Sequence, residues 1–301
     1  MKQLYAYIHI PRTGGTSITK SLPDYKSRND SWEEHYHYVK SRSEIEYYSA
    51  NIPSLAWRTP EQHNKIKMLT GHGICFTSYT WVRFTVDKWL PFTFIRHPIK
   101  RLLSSFNYRH KKTVLTQSPP VFSQIVPAMN ENAQILNKTA DDYNTLWEWY
   151  RDANSESNLQ CKWLINFFKY YDSSTQSFID YPEFAMPAEV AKYENFTWED
   201  GFALWYSIPN VFPLFEIVNE LIPKLWFIAD SDNIDTIMPR ACDIINIRWT
   251  PLARRINITH DSFRKWSFED VINQPDIEKV IECEEHDFKL YECSKQNCLP
   301  F

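Results

Sequence analysis

The chain has 301 residues, of which 43% are hydrophobic, 16% aromatic and 23% charged, a composition that excludes a disordered chain and suits a globular core. A net charge of −4 at pH 7 and a pI of ≈ 6.2 argue against a nucleic-acid partner, although a local basic pocket is still allowed. The sequence has neither a long apolar run nor a basic segment with a cleavage site at its N-terminus. We therefore expect a soluble chain without a membrane segment or signal peptide.

The first segment predicts a buried strand, a glycine turn and a helix. Residues 4–10, LYAYIHI, are a continuous apolar run typical of a strand, and polar residues resume after the turn. Gly14 and Gly15, two of only five glycines in the chain, lie at this junction, where backbone amides can bind an anion. The hydroxyl and cationic residues beside them are Arg12, Thr13, Thr16 and Ser17. The segment predicts a phosphate or sulfate site, with a tight turn and helix cap as the alternative.

A Walker-type loop, as found in nucleotide-dependent kinases, is the obvious competitor for such a junction. That loop requires G-x-x-x-x-G-K-[ST]. The chain has no glycine at the first position of this pattern and no lysine before the hydroxyl residue. The pattern therefore disfavours a Walker site.

The next segments predict two more strands and an amphipathic helix. Residues 24–65 are polar and irregular, which indicates surface helix and loop, and residues 65–72 form a weakly patterned strand candidate. Residues 90–98, LPFTFIRHP, are the clearest later strand, ended by Pro98. Apolar residues at 99, 102, 103 and 106 then follow the spacing of a helix with one buried face.

The second half of the chain repeats this alternation. A helical region is predicted from about 140 to 171, with a loop-like stretch after it. Residues 225–232 predict a strand that leads into a helix over 233–246, and residues 276–292 predict a closing amphipathic helix. Strands that alternate with helices favour an α/β fold whose mainly parallel sheet is covered on both faces.

The cysteines predict no metal site. The sequence has six, without a C-x-x-C pair and without a histidine at zinc-ligand spacing. Three of them, Cys283, Cys293 and Cys298, lie close to the C-terminus, which permits a disulfide in an oxidising compartment. Reduced thiols are the preferred interpretation.

Two motifs resemble those of a known family. YIHIPRTGGTSI, residues 7–18, is similar to the 5′-phosphosulfate loop of sulfotransferases, especially the carbohydrate group that contains the heparan and uronyl 2-O-sulfotransferases. FTFIRHPIKRLLSSF, residues 92–106, resembles the second signature of that family, which holds the 3′-phosphate of the nucleotide. Shorter matches follow in order: LTGHG at 69–73, NLQCKWL at 158–164 and FIADSDNID at 227–235.

The resemblance implies a P-loop-like three-layer α/β fold with a mainly parallel central sheet flanked by helices, in a single domain over 1–301. It implies 3′-phosphoadenosine-5′-phosphosulfate (PAPS) as the sulfuryl donor. The implied donor-binding residues are Arg12, Thr13, Gly14, Gly15, Thr16, Ser17, Arg96 and Ser104. In this set Arg96 and Ser104 hold the 3′-phosphate. The alternatives for these two residues are a surface ion pair and a helix-packing serine.

Arg12 and His72 are the candidate catalytic residues. Arg12 stands where most relatives have lysine; it keeps the charge that stabilises the leaving group but cannot give up a proton. His72 matches the G-H position of the family, and a neutral histidine is the usual base near pH 7. His9 and His97 are the competing histidines beside the two motifs, and His97 is more simply explained as a residue that orders its turn.

The remaining expectations concern partners and location. No metal is predicted, because a sulfuryl group carries less charge than a phosphoryl group. The acceptor is expected to be a hydroxyl-bearing glycan or small molecule, and Arg254 or Arg255 are candidates for the 3′-phosphate or an anionic acceptor, with a solvated loop as the default. A cytoplasmic protein of the bacterial or viral type is expected, or a Golgi-lumen protein if an N-terminal anchor was removed.

Two other functions stay open at this level. One is a nucleotide-dependent kinase, which the missing Walker lysine disfavours. The other is a non-catalytic module that binds PAPS or its product nucleotide 3′-phosphoadenosine-5′-phosphate (PAP). Arg12 suggests this second function, as do Ala229 and Ser231, which replace the glycine and glutamate usual in the family.

Overall fold

Strands and helices alternate along the chain in the computed structural model, which describes residues 3–22, 49–51, 67–71, 88–116, 142–152, 157–172, 175–180, 208–251 and 264–296. The strands are β1 (Gln3–Ile8), β2 (Ser49–Asn51), β3 (Met68–Gly71), β4 (Lys88–Ile95), β5 (Lys169–Asp172), β6 (Ser177–Asp180) and β7 (Phe227–Asp230). The helices are α1 (Gly15–Ser21), α2 (Pro98–Thr116), α3 (Leu146–Asp152), α4 (Leu159–Phe168), α5 (Leu214–Leu221), α6 (Ile234–Ile245), α7 (Phe268–Ile272), α8 (Ile277–Cys283) and α9 (Glu285–Gln296). Short 3-10 turns, Ile222–Lys224 and Ser231–Asn233, flank β7.

Five of the strands form one parallel sheet in the order β2-β3-β1-β4-β7. β1 pairs with β3 on one side, where Ile8 lies opposite Gly71, and with β4 on the other. β7 pairs with β4, where Ile95 lies opposite Asp230. Because the strands run in the same direction, their carboxyl ends share one edge of the sheet, which is where α/β proteins bind ligands.

The two faces of the sheet are covered by different helices. Alternate residues of β1 point to opposite faces, so Leu4, Ala6 and Ile8 pack with α4, α5 and α9. Tyr7 points to the other face, which is covered by α1 and α6. Full burial of one large apolar side chain contributes about 1.5–3 kcal/mol. These two cores hold the central strand between helices.

α2 follows β4 and packs away from the sheet, in a third core. Pro98 begins this helix, a position that suits its fixed φ. Its buried apolar residues are those whose spacing predicted the helix: Ile99, Leu102, Leu103 and Phe106. They pack against α3, α7 and α8. None of the helices in the described ranges is long and apolar enough to cross a membrane.

Three predicted elements were wrong in detail. β2 lies within residues 24–65, which were expected to hold surface helix and loop; so short a strand is stabilised by pairing with β3, a contact that local pattern does not reveal. β5 and β6 form an antiparallel hairpin where the helical region was expected to reach residue 171. The helix predicted over 276–292 is split into α8 and α9 at Glu284, whose side chain is fully buried.

The cysteines in the described ranges are free thiols: Cys161, Cys242, Cys283 and Cys293. Burial raises the pKa of Cys161 and Cys242 above the ordinary value of a thiol. Cys75 and Cys298 lie outside the described residues, so a reduced Cys298 stays a prediction, with a disulfide as its alternative.

Candidate functional site

The turn between β1 and α1, called here the glycine turn (residues 11–17), lies at the carboxyl edge of the sheet. Arg12 and Gly14 both have positive φ, 70° and 91°. Glycine adopts such a backbone without strain, whereas a positive φ at arginine is uncommon and marks a position that its surroundings hold in place.

Both glycines lie against other side chains. A Cβ added at Gly15 would overlap the ring of His9, and one added at Gly14 would lie 2.5 Å from Cδ1 of Ile234. His9 is buried and stacks on Tyr7, with 5.6 Å between the ring centroids. The missing side chains therefore let the first turn of α1 lie directly against His9.

Hydrogen bonds fix the glycine turn from within. The hydroxyl of Thr13 is buried and donates to the carbonyl oxygen of Ile10 at 2.9 Å. The carbonyl oxygen of Gly14 accepts from the backbone N–H of Ser17 at 2.9 Å. The backbone N–H groups of Gly15 and Thr16 precede this first helical bond, the place where helices bind anions.

Arg96 follows β4 and reaches back to the glycine turn. Its Nη1 donates a hydrogen bond to the carbonyl oxygen of Arg12 at 3.0 Å, across 84 residues of sequence. The contact is possible because β4 lies beside β1 in the sheet. The structure thus brings the two sequence motifs together.

The guanidinium of Arg12 lies over an aromatic ring on α2. Its Cζ is 3.5 Å from the centroid of Tyr108, within the range of a cation–π contact. Tyr108 comes four residues after Ser104, so the two share one face of α2. Ser104 and Tyr108 are both partly exposed, whereas Ser105 beside them is buried. Arg12 is therefore in contact with the helix face that carries Ser104.

Other predicted site residues lie outside the described ranges. They are His72, Arg254 and Arg255. β3 ends at Gly71, one residue before His72, and Gly71 lies opposite the last residue of β1. The expected G-H element therefore begins at the edge of the sheet from which the glycine turn emerges.

A glutamine on α4 holds the backbone of Arg96, a contact that sequence reasoning missed. Oε1 of Gln160 accepts from the backbone N–H of Arg96 at 2.8 Å, and its Nε2 donates to the carbonyl oxygen of Arg96 at 2.9 Å. Asp287 in turn accepts from the backbone N–H groups of Gln160 and Cys161, at 3.0 and 2.8 Å. A carboxylate at a helix N-terminus is favourable. The matched segment NLQCKWL contained the signal, since Gln160 is its central polar residue.

A buried polar cluster continues from Asp287 towards α2 and α3; its members are Arg101, Tyr150, Asn158, Glu284 and Asp287. Oε1 of Glu284 accepts from the hydroxyl of Tyr150 at 2.8 Å and from the backbone N–H of Asn158 at 2.9 Å. Oε2 of Glu284 lies 3.7 Å from Nη2 of Arg101. Arg101, the second arginine of the RHPIKR motif, thus belongs to this cluster.

Burial shifts the pKa of two groups in this region. Burial and the charge of Asp287 raise the pKa of Glu284 to about 7, and the charge of Arg101 opposes that rise. Burial also lowers the pKa of Lys162 to about 8. Each shift reflects the cost of holding a charge away from water, which the hydrogen bonds of the cluster offset only in part.

His97, beside Arg96, is surrounded by aromatic rings. Phe268, Phe288 and Tyr291 contact it at ring-centroid distances of 5.3–5.5 Å. Burial is the main cause that lowers the pKa of His97, and the charge of Lys100 adds to it. This packing orders the turn that presents Arg96.

Of the comparisons with known proteins, one identifies a family. Searches of curated proteins and of solved structures give no match. A model described as the sulfotransferase family matches residues 2–198, more than half of the chain, and this range includes the glycine turn, Arg96 and Gln160. In the described ranges, no group of three or more histidine, cysteine or acidic residues is placed to hold a metal ion. The chain therefore belongs to the sulfotransferase family, whose P-loop-like fold agrees with the parallel sheet and its flanking helices.

Proposed function

We propose that the protein transfers a sulfuryl group from PAPS to a hydroxyl of a carbohydrate acceptor. Membership of the sulfotransferase family supports sulfuryl transfer in general. The donor is proposed from the contact between Arg96 and the carbonyl oxygen of Arg12, which joins the two segments that must hold opposite ends of one doubly phosphorylated nucleotide. The carbohydrate acceptor is proposed from the resemblance of both motifs to carbohydrate sulfotransferases.

The glycine turn is assigned to the 5′-phosphosulfate of PAPS. The backbone amides of Gly15 and Thr16, which precede the first helical hydrogen bond, and the guanidinium of Arg12 supply donors and positive charge. During transfer the acceptor oxygen forms a bond to sulfur while the bond from sulfur to the bridging oxygen breaks. PAP leaves with that electron pair, so negative charge grows on the bridging oxygen. Fixed donors stabilise this charge more in the transition state than in the bound substrate.

Arg96 and Ser104 are assigned to the 3′-phosphate. Arginine presents a rigid fork of N–H donors that suits a phosphate, and serine adds a hydroxyl donor. Gln160 fixes the backbone of Arg96 through two hydrogen bonds, so the direction of the guanidinium depends on α4. Positioning by a rigid element limits the entropy that binding costs.

His72 is assigned as the general base. It takes the proton of the acceptor hydroxyl as the oxygen attacks sulfur. β3 brings the chain to the carboxyl edge of the sheet at Gly71, directly before His72. Arg12 stays protonated throughout, so the leaving group receives charge stabilisation and no proton from it.

A ligand-binding experiment separates this function from the alternatives. PAP at about a hundredfold excess over its Kd is expected to stabilise the protein by about 3 kcal/mol, measured as a rise in Tm, while ATP with Mg²⁺ gives no comparable rise. The opposite result would exclude a sulfotransferase and favour a kinase. Binding of PAP without transfer to any acceptor would indicate a non-catalytic module.

Transfer of radiolabelled sulfate from PAPS to a panel of glycans tests the activity itself. His72→Ala is expected to lower kcat by about a hundredfold or more while PAP still binds, because the base is lost and the nucleotide contacts are kept. His286→Ala is a matched control, because His286 is a histidine on α9 that contacts Phe215 and Glu216 of α5 and has no assigned role in transfer. Unchanged activity of His72→Ala would remove His72 from the mechanism.

A further inference from the structure

Arg12 is held at its backbone and at its side chain by two different contacts. Its carbonyl oxygen accepts a hydrogen bond from Arg96 Nη1, which fixes the backbone of the glycine turn. Its guanidinium lies over the ring of Tyr108, with Cζ 3.5 Å from the ring centroid. Tyr108 belongs to α2, the helix that also carries Ser104. One helix face therefore contacts the charge of the glycine turn and presents the serine of the second motif.

The chemistry of this contact is specific to arginine. A guanidinium is planar and weakly hydrated, so it stacks on an aromatic face, whereas an ammonium is compact and strongly hydrated. Stacking also restricts a long side chain that otherwise samples many rotamers, and a fixed charge stabilises a transition state better than a mobile one. A cation–π contact contributes more the further it is removed from water.

We propose that Tyr108 is a positioning residue for Arg12. Its ring holds the guanidinium of Arg12 beside the sulfuryl group, and the two residues together replace the lysine that is usual at this position of the family. This inference rests on the proposed function. The ring, and not the hydroxyl, of Tyr108 carries the effect, because the contact is made to the ring face.

A merely structural role of Tyr108 gives a different pattern. Tyr108 is partly buried on α2, so its removal also lowers stability. A structural defect, however, lowers activity whether residue 12 is arginine or lysine. A positioning role is felt mainly when residue 12 is arginine, because only its planar group depends on the stack.

A double-mutant cycle measures this difference. Five proteins are compared by kcat, by KM for PAPS and by calorimetric Kd for PAP: the wild type, Tyr108→Phe, Tyr108→Leu, Arg12→Lys and Arg12→Lys with Tyr108→Leu. We expect Tyr108→Leu to lower kcat about tenfold, with a smaller effect on KM, in the wild-type background and less than about twofold in the Arg12→Lys background. Tyr108→Phe, which keeps the ring, is expected to retain at least about half of kcat.

A matched control removes an aromatic ring that lies near a different cation. Phe168 on α4 has Lys224 Nζ 5.9 Å from its ring centroid and is partly buried. Phe168→Leu is expected to lower Tm without a change in kcat that depends on residue 12. The comparison separates loss of a cation–π contact in general from loss of the one at Arg12.

A spectroscopic readout tests the stack without activity. The Nε–Hε resonance of Arg12, assigned by its loss in Arg12→Lys, is expected to show a ring-current shift that persists in Tyr108→Phe and disappears in Tyr108→Leu. Equal losses of kcat by Tyr108→Leu in both backgrounds, or a Tyr108→Phe protein as impaired as Tyr108→Leu, would overturn the inference while leaving the proposed function intact. A wild type that neither binds PAP nor transfers sulfate would overturn both.

Discussion

The glycine turn holds Arg12, the buried polar cluster supports Arg96, and the two regions do so by different means. The turn places partly exposed Arg12 on a left-handed backbone and relies on missing side chains at Gly14 and Gly15. The cluster is connected to the backbone of Arg96 through Gln160 and is buried, so that Glu284 and Asp287 accept hydrogen bonds from fixed protein donors.

Because of this difference, substitutions in the two regions should affect different properties of the protein. A buried acceptor that loses its donor costs about 1–3 kcal/mol of stability, because no water replaces the lost partner. A group at the edge of the sheet can be changed at little cost in stability, but its position decides how a phosphate or sulfuryl group binds. Changes in the cluster should therefore affect Tm first, and changes in the turn should affect ligand binding first.

Among changes in these two regions, the largest effect is expected from Gly15→Ala. Its Cβ would overlap the buried ring of His9, so α1 and the amides of the glycine turn must shift, and a displacement near 1 Å can cost about a hundredfold in kcat. In Gly14→Ala the new Cβ contacts only the terminal methyl group of Ile234, which can turn away. The alanine is nevertheless strained, because residue 14 has a positive φ. Activity and PAP binding of the two variants are compared at matched folded fractions.

Removing the His9 ring is the control for this steric reason. The double variant with Gly15→Ala and His9→Ala is expected to regain part of the PAP affinity, because the space that the new Cβ needs is then open. If Gly15→Ala is tolerated as well as Gly14→Ala, the close contact between His9 and α1 does not determine the shape of the turn.

A second prediction tests whether the buried polar cluster influences donor binding through Gln160. Gln160→Leu removes both hydrogen bonds to the backbone of Arg96, and we expect about a tenfold rise in KM for PAPS together with a loss of about 2 kcal/mol of stability. Asn166→Leu, a buried amide on the same helix, is the control, for which only the stability loss is expected. Equal changes in KM for both variants would show that α4 acts by general destabilisation.

The sequence predicted the parts of the site that local patterns encode. The apolar run of β1, the two glycines and the strand that ends before Arg96 each lie within one short segment, and the pairing of β1 with β4 brings them together. The position of Tyr108 on the same helix face as Ser104 could also have been predicted, since it comes four residues after Ser104 on a predicted amphipathic helix. Its contact with Arg12, however, depends on the direction of α2 relative to the sheet.

The supporting residues were missed because their partners are distant in sequence. Gln160 and Arg96 are 64 residues apart, and Asp287 lies 127 residues after Gln160. Helical spacing over 276–292 indicated one amphipathic helix, and it gave no sign that Glu284 turns inward between two helices. A buried carboxylate is recognised only when its donors are known, and these come from α3 and the start of α4.

A third effect sharpens the comparison through pH. The folded pKa of Glu284 is about 7, above its ordinary value of 4.5, so the protonated form is favoured by folding. Its contribution is fully present below about pH 4.5 and is lost as pH rises to about 7. Glu284→Gln is expected to flatten the fall in Tm over this window by a few °C.

The slope, and not the starting Tm, is the test of Glu284→Gln. The amide still accepts from Tyr150 and Asn158 but places an NH₂ group near Arg101, so the variant is less stable overall. Lys162, with a lowered pKa of about 8, titrates above this window and recovers stability as pH rises further. An unchanged slope between pH 4.5 and 7 would mean that Glu284 is charged throughout.

The smallest effect is expected at Lys100, which lies inside the second motif between Arg96 and Ser104. Its Nζ is 3.4 Å from Oδ2 of Asp232, both side chains are substantially exposed, and such a pair contributes less than about 1 kcal/mol. Lys100→Gln should change the Kd for PAP less than about twofold. Because the charge of Lys100 helps to lower the pKa of His97, its removal should raise that pKa, which an NMR titration measures. A large loss of PAP binding would instead show that Lys100 binds the nucleotide, as is proposed for the glycine turn. In that case a cation that binds the nucleotide would be recognised by its position in the motif, and not by its exposure or its ion pair.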